Sequence, residues 1–285
     1  MALTIGSNLF ATRVQGQLER TGTRLRSVVQ SLSTGSDLSL EGDMGVRLAL
    51  AERLRAQTRV ATVALRNAND GISYIATAEA GLQEIQNILT RMAELANQGA
   101  NTTFTAAQRS ALQAEFSALG SEVERISAAN TYNSISTISS GANLTIQVGI
   151  TGGTESAIII TSVVATVAAL GIGTTSGSLS YSISGTTSDA AVTSSRLAYS
   201  ALVTAQDTLL TRRGSLAAVS SRLTSAVSYL SVARENYSAA ESNVRDSDTA
   251  RDLAEYSRLK ILQDSQTALL AQANQLPGLI LKLLG

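Results

Sequence analysis

The run Leu202-Val-Thr-Ala-Gln-Asp-Thr-Leu209-Leu-Thr-Arg-Arg-Gly-Ser-Leu216 opens a stretch in which Leu202, Leu209, Leu216, Leu223, Leu230, Tyr237 and Val244 recur at an unbroken spacing of seven. A second row three residues on is mostly small: Ala205, Val219, Ala226, Ala233 and Ala240, with Arg212 as its charged intruder. Large and small rows side by side form the stripe of a helix that lies against other helices. Fixing one residue's backbone costs about 1–2 kcal/mol, and burying a Leu side chain returns about 1.5–3 kcal/mol, so one ladder cannot order its own length without a partner. The fold turns on where the rest of the chain supplies that partner.

A matching ladder runs from Val46 to about Gln98, with Leu54, Ala61, Ala68, Ile75, Leu82, Leu89 and Ala96 in one row and Ala64, Ala78, Ile85 and Met92 in the other. Asn69-Asp70-Gly71 inside it is a hairpin-turn signal. The seven-residue phase is the same on both sides of it, which predicts unbroken helix. Upstream, residues 1 to about 34 hold a thinner stripe of Val14, Leu18, Leu25, Val28 and Leu32, and the Gly and short polar side chains of Ser33–Gly45 read as a joint. Thr105-Ala-Ala-Gln108 is a capping-box pattern, opening a shorter helix striped by Leu112, Phe116, Leu119, Val123 and Ile126 that ends at Asn130 to Asn133. Asp246-Ser-Asp-Thr249 is a cluster of N-cap formers that restarts a last helix. Its seam is Leu259, Leu262, Leu269, Ala273, Leu276, Ile280 and Leu283, and Pro277 is expected to remove one of its hydrogen bonds or bend it.

Between Ser134 and Ser188 the composition changes. Ser, Thr and Gly abound, and no Lys or Arg occurs from Ile126 through Ser195. Asn143–Val148, Ile158–Thr161 and Leu179–Ile183 read as strands parted by Gly turns. Ala157–Gly173 is also an uncharged run at the short limit for a membrane helix. Thr161, Ser162 and Thr166 interrupt it and no basic residue flanks it, which favours strands.

The composition bears on function by subtraction. The 285 residues balance 22 basic against 22 acidic side chains, so no basic face invites nucleic acid or an anionic membrane. Cysteine and histidine are both absent, which argues against disulfides, thiolate or imidazole catalysis and most transition-metal sites. With no GxSxG and no Gly-rich phosphate loop after a strand, neither catalytic, cofactor-binding nor metal residues are expected, and the chain does not read as an enzyme. Met1-Ala-Leu-Thr-Ile-Gly-Ser-Asn8 lacks the basic start and apolar core of a general secretory signal. The pattern predicts a mainly α chain with a small β region at its centre.

In this setting the chain resembles bacterial flagellin. The resemblance lies in Leu65-Arg-Asn-Ala-Asn-Asp-Gly-Ile-Ser73 with Thr77-Ala-Glu79, in Leu89-Thr-Arg-Met-Ala-Glu-Leu95, in Val244-Arg-Asp-Ser-Asp248, and in Ile261-Leu-Gln263 with Leu270-Ala-Gln-Ala-Asn-Gln-Leu-Pro277. It implies a long antiparallel helical coiled coil of N- and C-terminal segments with a central β-hairpin layer. Residues 1–44 and 246–285 would be inner-tube helices, 45–133 and 189–245 the helical core, and 134–188 a hairpin and surface region. The subunit would be slim, lacking large outer domains. The implied role is a structural subunit of the extracellular flagellar filament, a homopolymer. Leu18, Leu25, Leu32, Leu259, Leu262, Leu269, Leu276 and Leu283 would pack between subunits. Implied partners are the type III flagellar export apparatus, an export chaperone, and hook-junction and filament-cap proteins. A hook–filament junction protein or another coiled-coil scaffold is the alternative.

The resemblance also implies that Arg91, Glu94 and Leu95, with Glu115, pack between subunits or face the flagellin-sensing Toll-like receptor of animals. Ala93 stands where many recognised flagellins have a second basic residue. One further departure concerns the joint: Asp37-Leu-Ser-Leu-Glu-Gly-Asp-Met44 replaces a segment that commonly holds a basic residue and paired Asp-Asp.

Overall fold

The structure, a computed structural model, describes residues 8–37, 44–175 and 177–284, with residue 44 and residues 276–284 by backbone alone. The sequence readings of residues 1–7 and of the middle of the 33–45 joint lie outside the described residues. Among the described residues five α-helices carry the chain: α1 (Leu9–Thr34), α2 (Met44–Gly99), α3 (Ala106–Ala129), α4 (Ser188–Arg245) and α5 (Thr249–Leu284). Between α3 and α4 lie two antiparallel hairpins, β1 (Thr131–Tyr132) with β2 (Ile135–Ser136), and β3 (Leu144–Gln147) with β4 (Ala157–Ile160). The chain divides into two compact units, Met1–Arg59 with Arg234–Gly285, and Val60–Ala233.

In the Val60–Ala233 unit the two seven-residue ladders form the core. Ala61, Ala68, Ile75, Leu82 and Leu89 of α2 are buried, as are Leu202, Leu209, Leu216, Leu223 and Leu230 of α4. Contacts descend one helix as they climb the other. A Cβ on Gly71 would lie 3.2 Å from Leu223, Arg213 Nε donates to Glu79 Oε1 at 2.7 Å, and Gln206 Nε2 donates to Thr90 Oγ1 at 3.4 Å. That antiparallel register sets the small Ala61 and Ala68 level with the large Leu230 and Leu223, so the two rows interdigitate at close range. Helix α2 runs through Asn69-Asp70-Gly71 without a break. Gly71 serves packing there, with Leu223 on one side and Ile146 of β3 on the other.

Helix α3 opens on the expected box: Thr105 Oγ1 accepts from the Gln108 amide and Gln108 Oε1 accepts from the Thr105 amide. Its Phe116 and Val123 are buried. The helix ends within the expected Asn130 to Asn133, and there the chain forms the β1–β2 hairpin over Asn133 and Ser134, both at positive φ. Asn tolerates that region but Ser seldom adopts it, so the pair carries none of the Asn-Gly signal that marks such turns.

The β3–β4 hairpin pairs Leu144 with Ile160 and Gln147 with Ala157, close to the expected spans. The third expected strand is absent: Leu179 makes one isolated bridge to Gly173, and residues 161–175 and 177–187 form an irregular strap. Its alternating Val163, Ala165 and Val167 are buried, and its polar backbone is met partly by backbone bonds such as Ala165 N to Ile138 O and Ile172 N to Val167 O, and partly by side chains. Arg212 donates to Val164 O and Ala169 O, Glu124 accepts from Val167 N, and Gln113 accepts from Ile183 N. The burial of Arg212 lowers its pKa below the usual guanidinium value. The run Ala157–Gly173 is therefore strand and strap, and among the described residues no helix is long and apolar enough to cross a membrane.

In the other unit α1 and α5 run antiparallel. Asn8 Nδ2 donates to Ala273 O at 2.8 Å, and Ser31 Oγ donates to the buried Asp252 Oδ2 at 2.6 Å. Asn8 Oδ1 also caps α1 by accepting from Ala11 N. Gly35, at φ 67°, closes α1 in the left-handed conformation that a Cβ disfavours. Asp248 Oδ1 accepts from Ala250 N and Arg251 N to start α5, as the cluster of cap formers predicts. The backbone of α5 stays helical through Pro277 to Leu284.

Candidate self-association surface

The terminal pair carries little core of its own. Among the described side chains of α1 only Thr21, Val28 and Ser31 are buried, and in α5 only Asp252, Leu259 and Ala273. Leu18, Leu25 and Leu32 are half-buried on the side of α1 that holds Val28. Leu259 lies inside the pair at 2% exposure, whereas Leu262 and Leu269 are 38% and 45% exposed. Leu253 and Ile261 add to this uncovered surface, as do Leu9, Phe10 and Val29 on α1. The side chains of Leu276 and Leu283 lie outside the described residues. Side chains chosen for the same seam thus divide into an inner group and an outer group.

The joint beside this pair is built from both chain ends. Ser36 bridges Asp246, and Ser247 N donates to Gly35 O at 3.0 Å. Arg47 of α2 reaches back to Asp37 at 3.1 Å and donates to Val244 O at 2.9 Å. A cation from the next helix thus ties the described end of the joint to the end of α4. Sequence reasoning missed Arg47 because it lies beyond the loop. Its signal was only an Arg in the first turn of α2, where a helix N-terminus disfavours positive charge.

Arg91, the centre of the second candidate group, is a two-way fork. Nε and Nη2 donate to Glu115 Oε1 at 2.9 and 2.8 Å, and Nη1 donates to Glu94 Oε2 at 3.0 Å. The Glu115 hydrogen bond, then that of Glu94, raises the Arg91 pKa above its usual value. All three are exposed, so the fork positions charge at the surface more than it stabilises the fold. Leu95 is instead fully buried in the core beneath them. On α5, hydrogen bonding from Arg258 holds the Glu255 carboxyl below the ordinary range, with a smaller contribution from Arg24 of α1. Among the described residues no group of three or more His, Cys, Asp or Glu side chains could hold a metal ion.

Long paired helices whose terminal pair leaves apolar side chains uncovered define a structural subunit that assembles with copies of itself. The chain belongs to the bacterial flagellin family. Residues 5–144 match the Bacterial flagellin N-terminal helical region and residues 198–284 the Bacterial flagellin C-terminal helical region. A Flagellin of Halalkalibacterium halodurans is 32% identical over 283 residues, covering 99% of this chain and all of the relative. Flagellin FlaB1 of Treponema pallidum and a Flagellin of Bacillus subtilis are each 31% identical, again over 99% of this chain and the full length of each relative. Its relatives are short as it is, so the slim form expected from the sequence is the form of the relatives too.

Proposed function

We propose that this flagellin polymerises into the bacterial flagellar filament through its terminal helices. Residues 1–44 and 246–285 are then the inner tube, 45–133 and 189–245 the helical core around it, and 134–188 the outer hairpin surface. The observation that carries this reading is the uncovered apolar group on α5, Leu253, Ile261, Leu262 and Leu269, on a helix pair that buries few side chains of its own. Ordering each residue costs about 1–2 kcal/mol, so the pair needs apolar neighbours from other copies. A contact repeated once per subunit acts along the whole lattice.

The role is structural and involves no catalysis, cofactor or metal. Its product lies outside the cell. The chain is passed out by the flagellar export apparatus, with a chaperone covering the apolar terminal helices beforehand, and its filament meets hook-junction proteins and the cap. Neither nucleic acid nor membrane insertion enters this role. The Arg91 fork packs against the next subunit, and with Ala93 beside it offers a receptor one cation where two are commonly gripped. The test is electron microscopy of the purified chain in negative stain at rising concentration. Long uniform tubes are expected; monomer or amorphous material at every concentration contradicts the reading.

A further inference from the structure

Two uncovered patches on the Val60–Ala233 unit are complementary in charge and alike in apolar character. On α2, Val60 and Val63 are 43% and 51% exposed, and Arg66 follows them on the same side of the helix. On α4, Val203 and Leu210 are 38% and 52% exposed and flank Asp207, which lies four residues after one and three before the other. Residues at such spacings share a helix face. Neither Arg66 nor Asp207 has an ion-pair or hydrogen-bond partner for its side chain among the described residues, although Asp70 stands four residues from Arg66. One patch is an apolar pair with a cation at its edge. The other is an apolar pair with an anion at its centre.

The two patches cannot meet within one copy. Arg66 lies five residues past the buried seam residue Ala61, and Asp207 five past Leu202, so each occupies the helix position opposite its own seam. Because the seams of α2 and α4 face each other, the two patches point to opposite sides of the pair. They also differ in height. The Gln206–Thr90 contact sets Asp207 level with the upper part of α2, roughly 24 residues or about 35 Å along the helix from Val63–Arg66.

We infer that the Val60–Val63–Arg66 patch of one copy docks on the Val203–Asp207–Leu210 patch of a second copy, with the copies offset along the helix axis. The inference rests on the filament reading and names one of its contacts. A contact between two different patches at different heights is heterologous, and such a contact does not close on itself but continues into an open helical array. Arg and carboxylate meeting beside the apolar side chains also make the contact selective, since either patch docked on the same patch of another copy faces like with like.

The test is charge exchange in the full chain, read as the concentration at which filaments first pellet. Arg66→Asp and Asp207→Arg alone each oppose like charges and are expected to raise that concentration about tenfold. The double variant restores an opposite pair and is expected to return to within about threefold of the parent chain. Mixing the two single variants is the sharper reading, because each supplies the charge that the other lacks. The mixture is expected to form filaments at concentrations where neither variant does alone. Single variants that polymerise like the parent, or a mixture no better than its components, overturn this contact and leave the filament reading standing. Failure of the parent chain itself to polymerise overturns the filament reading and this contact with it.

Discussion

Leu259 and Leu269 occupy one helix and one seam, yet the first is buried within the terminal pair and the second is nearly half exposed. Replacing an exposed Leu leaves no cavity and strands no buried partner, so a monomer barely registers it. Leu269→Asp is expected to shift monomer stability by no more than about 0.5 kcal/mol while stopping filament growth, because in the filament the new carboxylate meets apolar neighbours at a cost of several kcal/mol per site, by the rough scale for unpaired buried charge. Thermal melting of the monomer and pelleting of filaments check the two halves separately. A variant whose monomer loses the α1–α5 pair would assign Leu269 to the subunit's own core. The sequence shows the seam but not this division, because periodicity names the apolar face of a helix without saying how many helices share it.

At the scale of elements, the long helices were legible and the connections between them were less so. A phase held across Asn69-Asp70-Gly71 outweighed a local turn signal, since every seam residue beyond it depends on that phase. Alternation at 179–183 misled for the opposite reason. A strand needs a neighbour, and here the backbone amide of Ile183 is met by Gln113 instead. Close fits of this kind are also where single changes act. A Cβ on Gly81 would lie 2.0 Å from Asn130 Nδ2, which donates to Thr77 O, while Asn130 Oδ1 accepts from Thr137 at 2.5 Å. Because Asn130 is held on both sides, it cannot give way without losing those bonds. Gly81→Ala is expected to destabilise the unit by about 1–3 kcal/mol, as overpacking generally does, lowering the melting temperature of the monomer. An unchanged melting temperature would show that the end of α3 yields freely.

For the whole molecule, two helix pairs of different character share one chain. The α2–α4 pair of the Val60–Ala233 unit buries its Leu and Ala rows together with α3, the hairpins and the strap. The α1–α5 pair buries Val28, Leu259 and Ala273 and little other apolar material among its described residues. The first is built to stand as a subunit; the second is expected to be completed by other copies. The assembly surface itself was only partly legible in the sequence, for heptad rows placed the seam residues, while Arg47 and the exposed Asp207 became visible through register and burial. The most direct measurement compares the full chain with one lacking residues 1–34 and 250–285, by electron microscopy and sedimentation at matched concentration. The trimmed chain is expected to keep the cooperative melting of the Val60–Ala233 unit and to form no filaments at any concentration. Tubes of the same diameter and length from the trimmed chain would contradict the assignment of the filament's inner wall to α1 and α5.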